Sequence, residues 1–150
     1  DLEYIRGFHL VHTSCNGHFD SQIFKVKEAG VPISYDFSGR WKQEAYIDTI
    51  SSVIDYGFFS CPDASEDEIR QLCRRVVSNG CSLAIVTRGK NGSVVYDGIQ
   101  FTAMYPSRWM HWIHWGLVIL LRQPFYSHFL IQKILKHLWR PGHSLLLIHV

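Results

Sequence analysis

Thr87-Arg88-Gly89-Lys90-Asn91-Gly92 places a hydroxyl, two cations and two glycines directly after an apolar run, Leu83-Ala84-Ile85-Val86. Glycine lets a backbone approach an anion closely, and main-chain N–H groups together with Lys or Arg offset phosphate charge. The same six residues also suit an ordinary turn, and at this point both readings stand. They are not a Walker A loop, because G-x-x-x-x-G-K-[ST] is absent and a hairpin pattern follows in place of a helix. Three other short segments offer polar groups after apolar runs: residues 14–17, 36–40 and 60–63. Asp36 in the second of these suits either a site acid or the cap of a turn.

Other groups with chemical potential read more plainly. Cys15, Cys61, Cys73 and Cys81 show no C-x-x-C spacing, so neither a zinc ribbon nor a redox pair is indicated; reduced thiols are expected, with Cys15, Cys73 and Cys81 as small apolar fillers. His111-x-x-His114 has no nearby third ligand, and a metal site there is not expected. Glu66-Asp67-Glu68 reads as a solvated helix start, not a catalytic pair.

The elements that must position these groups alternate. Residues 8–13 form an apolar, β-branched strand pattern, residues 21–29 a helix ended by Gly30, and residues 31–36 a second strand. Residues 41–53 read as a helix with Ile47, Ile50 and Val53 on one side, and residues 56–60 as a third strand. Ser65-Glu66-Asp67-Glu68 is a capping-box signature opening a helix through Ile69, Leu72, Cys73 and Val76, closed at Asn79-Gly80. After the strand at 83–87, residues 92–96 and 99–102 read as a hairpin across Asp97-Gly98. This β-α-β-α-β-α-β order predicts an α/β fold with a mostly parallel sheet and right-handed crossovers. In such sheets ligands bind beyond the carboxyl ends of the strands, which is where the polar segments fall.

Residues 85–98, from Ile85-Val86-Thr87 to Asp97-Gly98, resemble the VTxGxxGxxxxxxG nucleotide segment of the ribokinase-like (PfkB-type) carbohydrate kinases. Residues 31–40 are similar to that family's strand ending in Asp-x-Asn-x-Arg, with Asp36 and Arg40 in place and Ser38 at the Asn position. Residues 54–60 are similar to the strand leading to its Asn-x-x-Glu motif, with Ser60 and Asp63 at the Asn and Glu positions. The wording Tyr35-Asp36-Phe37-Ser38 is closest to the fructoselysine 6-kinase branch, which acts on glycated amino acids. The resemblance covers about residues 8–106. It implies a three-layer αβα sandwich, here a partial ribokinase-like domain, and a cytoplasmic enzyme that transfers a phosphoryl group from ATP, with Mg²⁺, to a sugar hydroxyl. It implies that Thr87, Arg88, Gly89, Lys90, Asn91 and Gly92 bind the nucleotide with Ser60 nearby, and that Asp36, Arg40 and Asp63 lie on the phosphate and Mg²⁺ side. Most of the sugar site is expected in strands preceding Asp1; with no initiator Met, the chain reads as a fragment or processed form.

The family's Asp-Thr-x-Gly-Ala-Gly-Asp-Ser-Phe signature, which carries the general base and the anion hole, is expected soon after Pro106 and is absent. The composition changes there. All 13 acids of the 150-residue chain lie between Asp1 and Asp97, so residues 1–106 carry a net charge of −3 and residues 107–150 carry +5 with no acid. The last 44 residues also hold six of nine His and four of five Trp. Trp109-Met110-His111-Trp112-Ile113-His114-Trp115-Gly116 must be encoded TGG-ATG-CAY-TGG-ATH-CAY-TGG-GGN. Read from the third base of each codon, this gives Asp-Ala-Leu-Asp-(Thr/Ser/Pro)-Leu-Gly, and residues 116–120 then permit Ala-Gly-Asp-Ser-Phe. The expectation is a partial kinase domain over 1–106 followed by an out-of-frame tail over 107–150, and an inactive chain. The alternative is a non-enzymatic peripheral membrane or partner-binding protein whose basic, aromatic tail lies on lipid. A nucleic-acid partner is not expected, because five cations over the tail form no clustered stripe. The longest apolar run of the tail, residues 116–121, is far short of the roughly 20 residues needed to span a bilayer.

Overall fold

The computed structural model describes residues 1–104 and 145–147. Element order is α1 (Leu2–Arg6), β1 (Leu10–Ser14), α2 (Asp20–Glu28), β2 (Ile33–Asp36), α3 (Glu44–Ser51), β3 (Tyr56–Ser60), α4 (Glu66–Ser78), β4 (Leu83–Thr87), a single 3-10 turn (Gly89–Asn91), β5 (Ser93–Tyr96), β6 (Phe101–Met104) and β7 (Leu145–Leu147). The seven strands form one sheet in the order β6-β5-β4-β3-β2-β1-β7. Pairs β1–β2, β2–β3, β3–β4 and β1–β7 are parallel; β4–β5 and β5–β6 are antiparallel. The chain is α/β with a mostly parallel sheet, as the alternating pattern predicts.

Successive strands β1 to β4 step in one direction across the sheet, so right-handed crossovers place α2, α3 and α4 on the same face. The side chains that fill this interface follow the two periods of the elements. Val11, Ile33, Tyr35, Phe59, Ala84 and Val86 come from alternate strand positions, and Ile23, Val26, Ile47, Ile50, Ile69, Leu72 and Val76 from the helices. Leu10, Tyr56, Leu83, Ile85 and Val95 occupy the other strand parity and are buried as well, on the opposite face. A sheet apolar on both faces belongs to a three-layer arrangement.

Element boundaries shift in physically readable ways. β1 starts two residues later than the sequence pattern suggests, and residues 2–6 form a helix capped by Asp1, whose side chain accepts from Glu3 N at 3.0 Å. α3 begins at Glu44, since Arg40 N and Gln43 N are spent closing turns onto Phe37 O and Arg40 O. The hairpin does not turn across Asp97-Gly98 alone. Asp97 Oδ1 accepts from both Ile99 N (3.1 Å) and Gln100 N (2.8 Å), which makes a four-residue loop and pairs Tyr96 with Phe101. The capping box is present: Ser65 Oγ accepts from Glu68 N, and Glu68 Oε2 accepts from Ser65 N at 2.8 Å. Those bonds hold the Glu68 carboxyl below its ordinary range.

β7 has no counterpart in the sequence reading. Three leucines pair with Leu10, Val11 and His12 through the backbone, which an exposed strand edge offers to any extended apolar segment. The His111/His114 pair, the expected frame boundary and the basic aromatic tail apart from residues 145–147 lie outside the described residues. Among the described residues no helix is long and apolar enough to cross a membrane.

Candidate nucleotide site at the strand ends

The final residues of the four central strands are Ser14, Asp36, Ser60 and Thr87. Each is only half-buried, where the residues before it are mostly buried. Register places them on one face. Ser14 is opposite Asp36, Asp36 opposite Phe58, and Ser60, two residues beyond Phe58, opposite Thr87. Parity puts this face opposite α2, α3 and α4. Three hydroxyls and a carboxylate thus line the carboxyl edge, the side of an open parallel sheet where ligands bind.

The loops leaving these strands are laced together by main-chain bonds that continue the ladders. Cys15 N donates to Asp36 O (2.9 Å), Phe37 N to Phe58 O (2.9 Å), Ser60 N to Ser38 O (2.8 Å) and Cys61 N to Thr87 O (2.8 Å). The rim is therefore a continuation of the sheet. Thr87 Oγ1 is tied to Phe59 O at 3.1 Å. Beyond it the chain makes one 3-10 turn, with Gly89 at φ +56° and Gly92 at φ +87°. Gly89, Lys90 and Asn91 are exposed, whereas Gly92 is buried. This agrees with the glycine pattern: the loop doubles back where a side chain is disfavoured and presents its middle to solvent.

Asp36 caps a turn, its Oδ1 accepting from Ser38 N at 2.7 Å. Ser38 itself has φ +50°, a left-handed conformation in which Asn is favoured over other non-glycine residues. That explains the Asn in the pattern this segment resembles. Ser38→Asn is expected to stabilise the fold by about 0.5 kcal/mol, read from urea unfolding, by relieving part of that strain. Arg40 lies over the Tyr46 ring, 5.8 Å from its centroid. Asp63 is exposed in the turn before α4. Arg88 is directed to the start of α4, with Nη1 2.6 Å from Glu66 Oε1.

Behind the rim sits a polar cluster that residue types did not single out. Asp20, the first residue of α2, accepts from Tyr46 Oη at 2.9 Å and from Tyr35 Oη, and the two phenols are 2.6 Å apart. Burial raises the Tyr46 phenol to about 12 and pushes the Tyr35 phenol up further, with Asp20 adding to both. This cluster ties α2 and α3 to β2 through Tyr35, on the sheet face opposite that of Asp36. No spacing in the sequence could have shown it, because the three residues come from three elements. Cys15, Cys73 and Cys81 are buried, as expected of small apolar fillers, and Cys61 is buried too; burial pushes the Cys61, Cys73 and Cys81 thiols up to about 12 each.

No family profile matches the chain. Individual relatives do. The chain is 30% identical over 106 residues to fructoselysine 6-kinase of Escherichia coli (strain K12), and 32% identical over 107 residues to the Shigella flexneri enzyme of the same name. Each alignment covers 71% of this chain and 40% of the relative. Among solved structures, Arabidopsis thaliana ribokinase complexed with ribose and ATP superposes with a TM-score of 0.54 at 20% identity, over 70% of this chain and 37% of that one. Over this stretch the chain is similar in sequence to fructoselysine 6-kinases and shares the fold of ribokinase. A microbiome-derived acarbose kinase superposes with a TM-score of 0.60 at 19% identity, over 70% of this chain and 36% of that one, which shows the same kinase fold. The chain spans about two fifths of the length of the curated kinases it matches. In the kinase frame, Thr87, Gly89, Lys90, Asn91 and Gly92 form one loop, and Ser60 adjoins it through the register with Thr87. Asp36 and Arg40 flank a neighbouring turn.

Proposed function

We propose that residues 1–106 are the nucleotide-binding portion of an ATP-dependent carbohydrate kinase, whose acceptor is the hydroxyl of fructoselysine or a related glycated amine. One observation carries the reading. A glycine-bearing loop with an exposed Lys90 rises from the polar carboxyl edge of a mostly parallel sheet, in a segment about 30% identical to fructoselysine 6-kinases. In this reading the backbone N–H groups of Gly89 and Lys90 and the Lys90 ammonium face the nucleotide phosphates, while Ser60 and Thr87 line the approach. Mg²⁺ arriving with the nucleotide neutralises phosphate charge and needs only one or two protein carboxylates, for which Asp36 and Asp63 are the acids at the rim. Among the described residues no group of three His, Cys, Asp or Glu side chains forms a metal cluster of its own, which suits a cation held mainly by phosphate.

Phosphoryl transfer relies on positioning and charge stabilisation, together with a base to take the acceptor's proton. No general base has a counterpart in residues 107–150, which contain no Asp or Glu. We therefore read that segment as the kinase C-terminus translated out of frame, and this chain as inactive. The forced codons of residues 109–116 support this, since they spell Asp-Ala-Leu-Asp-x-Leu-Gly in the shifted frame. Nucleotide sequence across codons 100–150 tests it: codons unable to give Ala-Gly-Asp-Ser-Phe in that frame end the proposal. A coupled assay with ATP, Mg²⁺ and fructoselysine is expected to show no turnover by the 150-residue chain. Saturable turnover overturns the inactivity.

A further inference from the structure

Arg88 carries a formal charge at the centre of the loop, yet its geometry does not suit a phosphate ligand. Its guanidinium is 2.6 Å from the Glu66 carboxylate, and the Arg88 side chain is only 16% exposed where that of Glu66 is 60% exposed. Its Nε is buried with no acceptor among the described residues. A cation meant for an incoming phosphate keeps its donors accessible; one paired to a carboxylate is largely neutralised and committed to its fork. The main chain of Arg88 organises the loop instead. Arg88 N donates to Gly92 O (2.7 Å), Arg88 O accepts from Asn91 N (3.1 Å), and Gly92 N closes onto Gly89 O (3.2 Å). The far end of the pair is firm, because α4 is fixed by its capping box and by buried Ile69, Leu72, Cys73 and Val76.

We infer that Arg88 is a positioning residue, and that the Arg88–Glu66 pair braces residues 88–92 against the start of α4, so that the turn closed by the Arg88, Asn91 and Gly92 N–H groups holds the Gly89 and Lys90 N–H groups pre-set for an anion. This rests on the nucleotide reading above, but the brace can be tested without it. Removing Glu66 distinguishes two roles: a brace predicts a looser loop and weaker binding, whereas a phosphate ligand freed from its carboxylate predicts tighter binding.

The experiment compares Glu66→Gln, Arg88→Gln, the double variant and the reversed pair Glu66→Arg/Arg88→Glu in the 150-residue chain. Asp67→Asn serves as a control that removes a first-turn acid without touching Arg88. Amide hydrogen exchange without ligand is expected to quicken about tenfold at Arg88, Asn91 and Gly92 in both single variants, with the interior of α4 unchanged. Calorimetric titration with MgATP is expected to weaken about three- to tenfold in each single variant. The double variant is expected to be no worse than either single variant, and the reversed pair to recover part of the loss. Unchanged exchange in Glu66→Gln, or tighter MgATP binding, overturns the brace. If the parent chain binds no MgATP, the nucleotide reading fails, and exchange alone then decides the brace.

Discussion

Phe37→Ala is expected to lower the unfolding free energy by about 4 kcal/mol, the range for removing a large aromatic from a packed interior. Phe37 is fully buried between Asp36 and Ser38. Its ring stacks on Phe59 at 4.5 Å and 4°, and meets Tyr35 (4.8 Å) and Tyr46 (5.9 Å) edge-on. The substitution therefore leaves a cavity and also ends three ring contacts worth more than their area. Phe37→Leu, which fills most of the space, is expected to cost about 1.5 kcal/mol. Urea unfolding followed by tryptophan fluorescence measures both. Equal losses for the two variants count against packing as the cause. Because the backbone on either side of Phe37 holds Asp36 and Ser38, the Ala variant is also expected to loosen the rim.

Gly92→Ala is expected to cost about 2 kcal/mol in stability, because its φ of +87° with ψ of −144° is a region open to glycine and strained for any L side chain. It is also expected to weaken MgATP binding by more than about tenfold, since Gly92 O and N–H both close the loop onto Arg88 and Gly89. Gly39→Ala is the contrast. An added Cβ there meets nothing within 4 Å and φ is not positive, so a gain of about 0.5 kcal/mol is expected from the stiffer unfolded chain. Thermal unfolding and calorimetric titration of the two variants side by side check this. Similar behaviour of the two glycines removes the special role assigned to Gly92.

Much of the fold was legible because its signals are local and periodic. β3, β4 and the capped helix α4 fall where alternation, apolar runs and the Ser65–Glu68 box put them. Buried parallel strands need apolar residues on both faces, and β3 and β4 write that requirement plainly. The errors lie where long-range or turn chemistry outweighs pattern. The Asp97 carboxylate lengthened the hairpin loop, α1 formed over residues to which the pattern assigns no element, and β7 paired through backbone groups that carry no side-chain signal.

The sequence alone determined the order of the elements, the polar residue at each strand end and the glycine loop after β4, because each depends on residue type at short range. It also carried the break in charge and codon pattern after residue 106, a property of the chain whatever its fold. Tertiary structure decided which polar groups are available. It bonded one oxygen of Asp36 to Ser38 N, joined Asp20, Tyr35 and Tyr46 on the helix-covered face, and pulled Arg88 out of the loop onto Glu66. Glu66 read as a solvated charge at a helix start; its partner is 22 residues away along the chain, beyond the reach of any local pattern. Spacing shows which residues share an element, but only packing brings charges from different elements within hydrogen-bond distance.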